Sequence, residues 1–165
     1  ARFFLLGWSF FLISALIAAP LLAAGTAAWA ADDSHAIEGV WETDSGGYVQ
    51  IYQAGEDTWN GRVVGSSSGK ARYDENNPDE GKRGRRLLGV EVLKDLHYAG
   101  GNRWEDGNIY SPDNGKTYSA KATLADPDTL EARGYIGVSL LGRSQTWQRV
   151  GTDAPHLHEE LLEKQ

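Results

Sequence analysis

The sequence predicts an all-β protein, an eight-stranded antiparallel up-and-down barrel preceded by one N-terminal hydrophobic helix. Three observations carry that expectation. From Phe3 to Ala31 there are 29 uncharged, mostly apolar residues in a row. Beyond them glycine takes 18 of 134 residues, and no long helical period appears before Thr152. In its place, eight short β-rich runs alternate with turn signals, the pattern of a sandwich or barrel. Eight antiparallel strands close most naturally into a barrel, which leaves no exposed edge and can hold one small ligand.

The N-terminal segment, residues 1–31, satisfies two templates. About 20 apolar residues cross a bilayer as a helix, whereas a signal peptide needs about 7–15 before a small-x-small cleavage site. Ala28-Trp29-Ala30 is such a site, followed closely by Asp32 and Asp33, while Trp8 and Trp29 suit the two interfaces of a retained span. Arg2 precedes the run and acids follow it, so both templates carry residue 32 onward across the inner membrane. The expected location is the inner membrane with the barrel in the periplasm, or the periplasm or exterior as a soluble chain after cleavage near Ala30.

Residues 32–151 carry the barrel. GVWET (39–43), YVQIYQ (48–53) and TWNGRVVG (58–65) read as the first three strands, separated by Asp44-Ser45-Gly46-Gly47 and Ala54-Gly55-Glu56-Asp57. A polar loop, 66–85, leads to RLLGVEVLKDL (86–96). NRWEDGNIYS (102–111) and KTYSAKATL (116–124) flank Pro112-Asp113-Asn114-Gly115, a hairpin signal because Asn-Gly readily takes positive φ. TLEARGYIGV (129–138) and GRSQTWQRV (142–150) complete the set, and an acidic tail, 152–165, follows, with a short helix expected after Pro155.

The last strand has informative parity. Arg143, Gln145, Trp147 and Arg149 share one face, and bulky Trp147 assigns that face to the interior. In a meander barrel the first and last strands are antiparallel neighbours, so Arg149 falls beside Gly39 and Trp41, where guanidinium and indole can stack. Gly39, Trp41, Trp147 and Arg149 are thus the expected closure of the barrel. Glycine-x-tryptophan opening the first strand, with arginine closing the last, resembles the lipocalin (calycin) pattern.

More specifically, GVWET, NNPDEGKRGRRLLGVEVL, GNIYSPDNGKTYSAKATL and LEARGYIGVSLLGRSQTWQRV, spanning residues 39–150, are similar to an exported bacterial family, domain of unknown function 2147. The resemblance implies a lipocalin-like barrel outside the inner membrane and brings no catalytic residues with it. Two departures fall on loops: Ser111 stands where the family pattern has aspartate before Pro112, and GSSSGKARYD (65–74) reads as a lengthened loop.

Composition narrows the function classes. After Ala31 there are 15 basic and 23 acidic residues, a balance that argues against nucleic acid as a partner. The absence of cysteine excludes disulfides, a thiolate nucleophile, cysteine-ligated zinc, iron–sulfur clusters and lipid attachment through cysteine. All four phenylalanines lie between positions 3 and 11, so the barrel packs with Trp, Tyr and aliphatic side chains.

No motif carries catalysis. Gly65-Ser-Ser-Ser-Gly69-Lys70 has three residues between its glycines where a phosphate loop needs four, and Ala71 follows where Ser or Thr is required. Ser139 lacks the strand–turn–helix context of a nucleophile elbow. His156 and His158 are two residues apart and would not share a helix face as metal ligands. No enzyme activity, metal or cofactor is expected. Lys82, Arg83, Arg85 and Arg86 form a basic cluster, either neutralised by Asp74, Glu75, Asp79 and Glu80 or contacting anionic lipid or an acidic partner. Trp59, Trp104, Tyr110, Tyr118 and Tyr135 are the aromatic candidates for a ligand cavity.

Two functions fit. One is an accessory subunit anchored by residues 3–30 to an integral-membrane complex, its barrel filled by side chains. The other is an exported carrier of a small hydrophobic ligand, which requires a cavity.

Overall fold

A computed structural model describes residues 33–164, so the expected N-terminal helix, 1–31, lies outside the described residues. These form eight strands: β1 (Gly39–Glu42), β2 (Gly47–Gly55), β3 (Thr58–Ser66), β4 (Glu91–Gly100), β5 (Arg103–Ser111), β6 (Lys116–Asp126), β7 (Thr129–Tyr135) and β8 (Arg143–Val150). Each pairs with the next, and β1 returns to β8 to close the barrel. All pairings are antiparallel, and most successive strands are joined by the short connections that such pairing allows. Alternation sets the inner face: Trp41 lies opposite both Val49 and Arg149, Val49 opposite Val63, and Leu130 opposite Trp147.

One end of the barrel is packed solid. Residues 34–38 turn across it, burying Ile37 completely among Trp41, Trp59, Leu96, Trp104 and Leu130. A buried indole N–H needs an acceptor, and this plug supplies three. Trp41 Nε1 donates to the Ile37 carbonyl (2.9 Å), Trp59 Nε1 to the Glu38 carboxylate (3.0 Å) and Trp104 Nε1 to the Ser34 carbonyl (3.2 Å). Arg149 ties the plug to β8, donating to the carbonyls of Glu38 (2.5 Å), Ala36 (2.7 Å) and Pro127 (2.8 Å). Its guanidinium also lies 4.2 Å from the Trp41 ring centroid, the stacking expected from the sequence. Gly39 makes room for it: the backbone there takes φ +134°, and a Cβ would land on the guanidinium.

After Pro155 the tail winds into helix only briefly. It crosses the outer wall as a strap, with one 3-10 turn at Glu159–Leu161. Leu157, Leu161 and Leu162 cover Val40, Tyr48 and Val64, outward residues of β1–β3. The Gln50 side chain exchanges two hydrogen bonds with the Glu163 backbone, at 2.9 and 2.8 Å. Pro155 and the positive φ of His156 (62°) keep the tail extended along the wall.

Two strand boundaries also differ from expectation. The run 86–96 was expected to be one strand, yet Arg86 bridges to Tyr73 and Leu87–Val90 make a turn with Gly89 at φ 87°. The β4 ladder therefore starts at Glu91 and continues through His97 and Tyr98, which pair with Glu105 and Trp104. The seventh strand stops at Tyr135, three residues early, because Gly137 takes φ 74° and Ser139–Leu141 wind into a 3-10 turn.

Candidate functional site

Opposite the plug the barrel is hollow. Its mouth is framed by the β1–β2, β3–β4, β5–β6 and β7–β8 loops and opens into a cavity of about 860 Å³, within the roughly 300–1,000 Å³ range of small-molecule sites. The wall is apolar: Val49, Val63, Val92, Ile109, Ala132 and Trp147 line it. Small inward residues leave the space open. Ala132 and Gly134 stand on β7 where Leu130, one turn of the pleat lower, fills the packed end. Trp147 marks the boundary, buried beneath the cavity and donating from Nε1 to the Gln145 side chain at 2.9 Å.

The mouth is polar and basic. Among its charged lining residues, Arg72 is paired with Asp113 at 2.7 Å. Lys70, Arg86 and Arg143 have no ion pair among the described residues, and they line the same opening. His156 and His158 reach it from the tail, with His158 Nδ1 2.8 Å from the Glu160 carboxylate. No group of three His, Asp or Glu side chains among the described residues has the geometry of a metal site.

A buried hub fixes the long β3–β4 loop over one side of the mouth. Asp74, fully buried, accepts from the Tyr110 hydroxyl (2.5 Å), Asn77 Nδ2 (2.7 Å) and Arg85 Nε (2.9 Å). Burial by itself would raise its pKa, but those three hydrogen bonds and the Arg85 charge outweigh it and hold the carboxyl below its usual range. The same burial and the neighbouring carboxylate push the Tyr110 hydroxyl up to about 12.

The five aromatic candidates divide. Tyr110, Tyr118 and Tyr135 line the cavity. Trp59 and Trp104 do not: both are buried at the plugged end with their N–H groups committed to residues 34–38. The basic cluster divides too. Lys82 pairs with Asp79 (3.6 Å), Arg83 with Glu80 (3.4 Å) and Arg85 with Asp74 (2.8 Å), which leaves Arg86 alone facing the cavity. Sequence reasoning did not nominate Arg143 or Gln145 as site residues, although their parity with Trp147 on β8 had placed them on the inner face. Asp74 was visible only as one acid among several near the basic cluster.

The closed antiparallel barrel, plugged at one end and hollow at the other, with glycine-x-tryptophan on its first strand against arginine on its last, has a lipocalin-like fold. The chain belongs to the family described as uncharacterized protein conserved in bacteria (DUF2147), whose model matches residues 39–149. Among solved structures it is similar to protein HP1028 from the human pathogen Helicobacter pylori, described as belonging to the lipocalin family. The two share 24% identity with a TM-score of 0.64, over 70% of this chain and 83% of that one. No curated protein matches the chain.

Proposed function

We propose that the protein is a non-enzymatic carrier of a small amphipathic molecule, held with its apolar part on the valine- and tryptophan-lined wall and its polar end at the basic mouth. The hollow barrel carries this reading, since an accessory subunit was expected to fill its interior with side chains. Apolar burial would supply the affinity, and the few polar groups at the rim would orient the ligand. Lys70, Arg86 and Arg143 favour a carboxylate, phosphate or sulfate over a cationic head, because no acid other than the already paired Asp113 lines the opening.

The test is titration of the full-length protein, stripped of bound molecules, with a long-chain carboxylate, the alcohol of the same chain and the amine. The change in intrinsic tryptophan fluorescence reports binding, with Trp147 the indole that lines the cavity and Trp147→Phe the control that should remove the change. The carboxylate is expected to bind tightest and the amine weakest, and Ala132→Phe, which fills the wall, is expected to abolish all three. Equal binding to wild type and Ala132→Phe, or none to either, would sink the proposal.

A further inference from the structure

Among the described residues, four of the five large apolar side chains that stand exposed lie in one loop: Ile136 (65% exposed), Val138 (58%), Leu140 (89%) and Leu141 (79%). The loop joins β7 to β8 at the mouth, and Ile136 and Leu141 reach the cavity rim from it. Its form is built. Gly137 takes φ 74°, Ser139–Leu141 make a 3-10 turn, and two basic side chains of the outer wall hold Ser139. Arg133 Nε donates to its carbonyl at 2.8 Å, and Lys121 Nζ to its hydroxyl at 3.1 Å. These contacts keep the aliphatic side chains projecting outward, where water would otherwise favour their collapse into the open cavity beside them.

We propose that this loop docks the barrel mouth on the surface of an anionic lipid bilayer. Charge complementarity selects the occupant. Lys121, Arg133 and Arg143 flank the loop, and Arg86 and Lys70 share the opening, in a chain whose net charge is −7. Against them stand Glu131, whose carboxylate accepts from the Ser144 hydroxyl, and Asp44 on the neighbouring β1–β2 turn. An aliphatic tip ringed by cations is the composition that interfacial elements use: acyl chains receive the tip, and anionic headgroups receive the ring. The shape agrees. Four aliphatic side chains on six consecutive residues make a narrow protrusion, which a fluid bilayer accepts without a matching groove. Asp33 and the plug lie at the opposite end of the barrel from this loop.

The chain has no cysteine, so single reporters can be placed in the full-length protein. An environment-sensitive fluorophore goes on Leu140→Cys, with Glu56→Cys on the β2–β3 turn at the plugged end as the control. Each is mixed with vesicles of phosphatidylcholine alone or with phosphatidylglycerol, carrying lipid-borne nitroxide quenchers; circular dichroism checks that each labelled chain is folded. The Leu140→Cys probe is expected to shift to the blue and be quenched on the anionic vesicles, well beyond the probe at position 56. Arg86→Glu with Arg143→Glu is expected to weaken this by about thirtyfold or more, two cations at about 1 kcal/mol each, and Ala132→Phe to leave it intact whether or not it still binds ligand. The proposal is overturned by a probe at position 140 that stays water-like, or by equal quenching at both positions. Indifference to charge reversal would count against it in the same way. So would a shift that grows with protein concentration in the absence of vesicles, which would make the loop a contact between copies.

Discussion

The Tyr110 hydroxyl donates to the buried Asp74 carboxylate at 2.5 Å and so ties β5 to the β3–β4 loop that frames the mouth. Removing the carboxylate leaves three donors at once without their acceptor: Tyr110, Asn77 and Arg85. Arg85 is 39% exposed, so solvent screens part of its pairing. Asp74→Ala is expected to cost about 2–4 kcal/mol at neutral pH. Because the folded pKa lies below the ordinary 3.8, the carboxylate's contribution is present above that value and lost as pH falls through the folded pKa. Denaturant unfolding of wild type and Asp74→Ala should therefore converge as the pH drops below the aspartate range. A difference that persists undiminished in acid would mean that the loop is held by something else.

Tyr110 and Tyr52 should titrate apart from exposed phenols. Tyr110 is raised by burial and by its bond to Asp74, and Tyr52 by burial and its 2.5 Å bond to Glu91; both reach about 12 against an ordinary 10.0. Their neutral forms stabilise the fold fully below pH 10, and this contribution is lost as pH rises through 12. Phenolate absorbance should show a late phase that Tyr110→Phe and Tyr52→Phe each reduce. A titration complete near the ordinary value would show that these hydroxyls are free.

Arg149 is expected to matter for stability and not for ligand. It stacks on Trp41 and donates to three carbonyls, two of them in the plug. A cation–π pair of about 0.5–2 kcal/mol plus charge-assisted hydrogen bonds makes the loss in Arg149→Ala about 2–4 kcal/mol. Gly39→Ala should be nearly as harmful, since its Cβ meets the guanidinium and its φ of +134° is disfavoured for any L side chain. Thermal melts check both. Ligand titration of the folded fraction should be unchanged, since neither residue lines the cavity.

Closure was legible in the sequence because parity and strand order suffice for it. Trp147 fixes the inner face of β8, and an up-and-down meander then forces Arg149 beside Trp41. The contents of the barrel were not legible. Trp59 and Trp104 have the same composition signal as cavity-lining aromatics, and only the path of residues 34–38, which have no strand or helix pattern, commits their N–H groups elsewhere. The basic cluster was likewise ambiguous. Lys82, Arg83 and Arg85 find acids three or eleven positions away through a loop whose course no periodicity encodes, and Arg86 differs from them by facing the mouth. Ile136 and Val138 read as the end of the strand 129–138, and Leu140 and Leu141 as part of the turn after it, until Gly137 at φ 74° turns the chain out of the ladder.

The C-terminal strap is the last element whose role can be tested. An acidic tail of this kind is ordinarily dispensable, but here Val40, Tyr48 and Val64 are each under 5% exposed because Leu157, Leu161 and Leu162 cover them. The strap also satisfies buried Gln50 through Glu163 and adds the Arg62–Glu163 pair at 2.9 Å. Ending the chain after Gly151 would return three side chains to water at about 1.5–3 kcal/mol for each one fully exposed. Partial exposure on the sheet surface makes the expected loss about 3–6 kcal/mol, a large share of a small domain's stability. The truncated chain should melt earlier and bind an apolar dye on its outer wall, and Leu157→Ala should show the same effects more weakly. Retention of the full melting temperature without residues 152–165 would mean that the wall tolerates water, and that the strap serves only to bring His156 and His158 to the mouth.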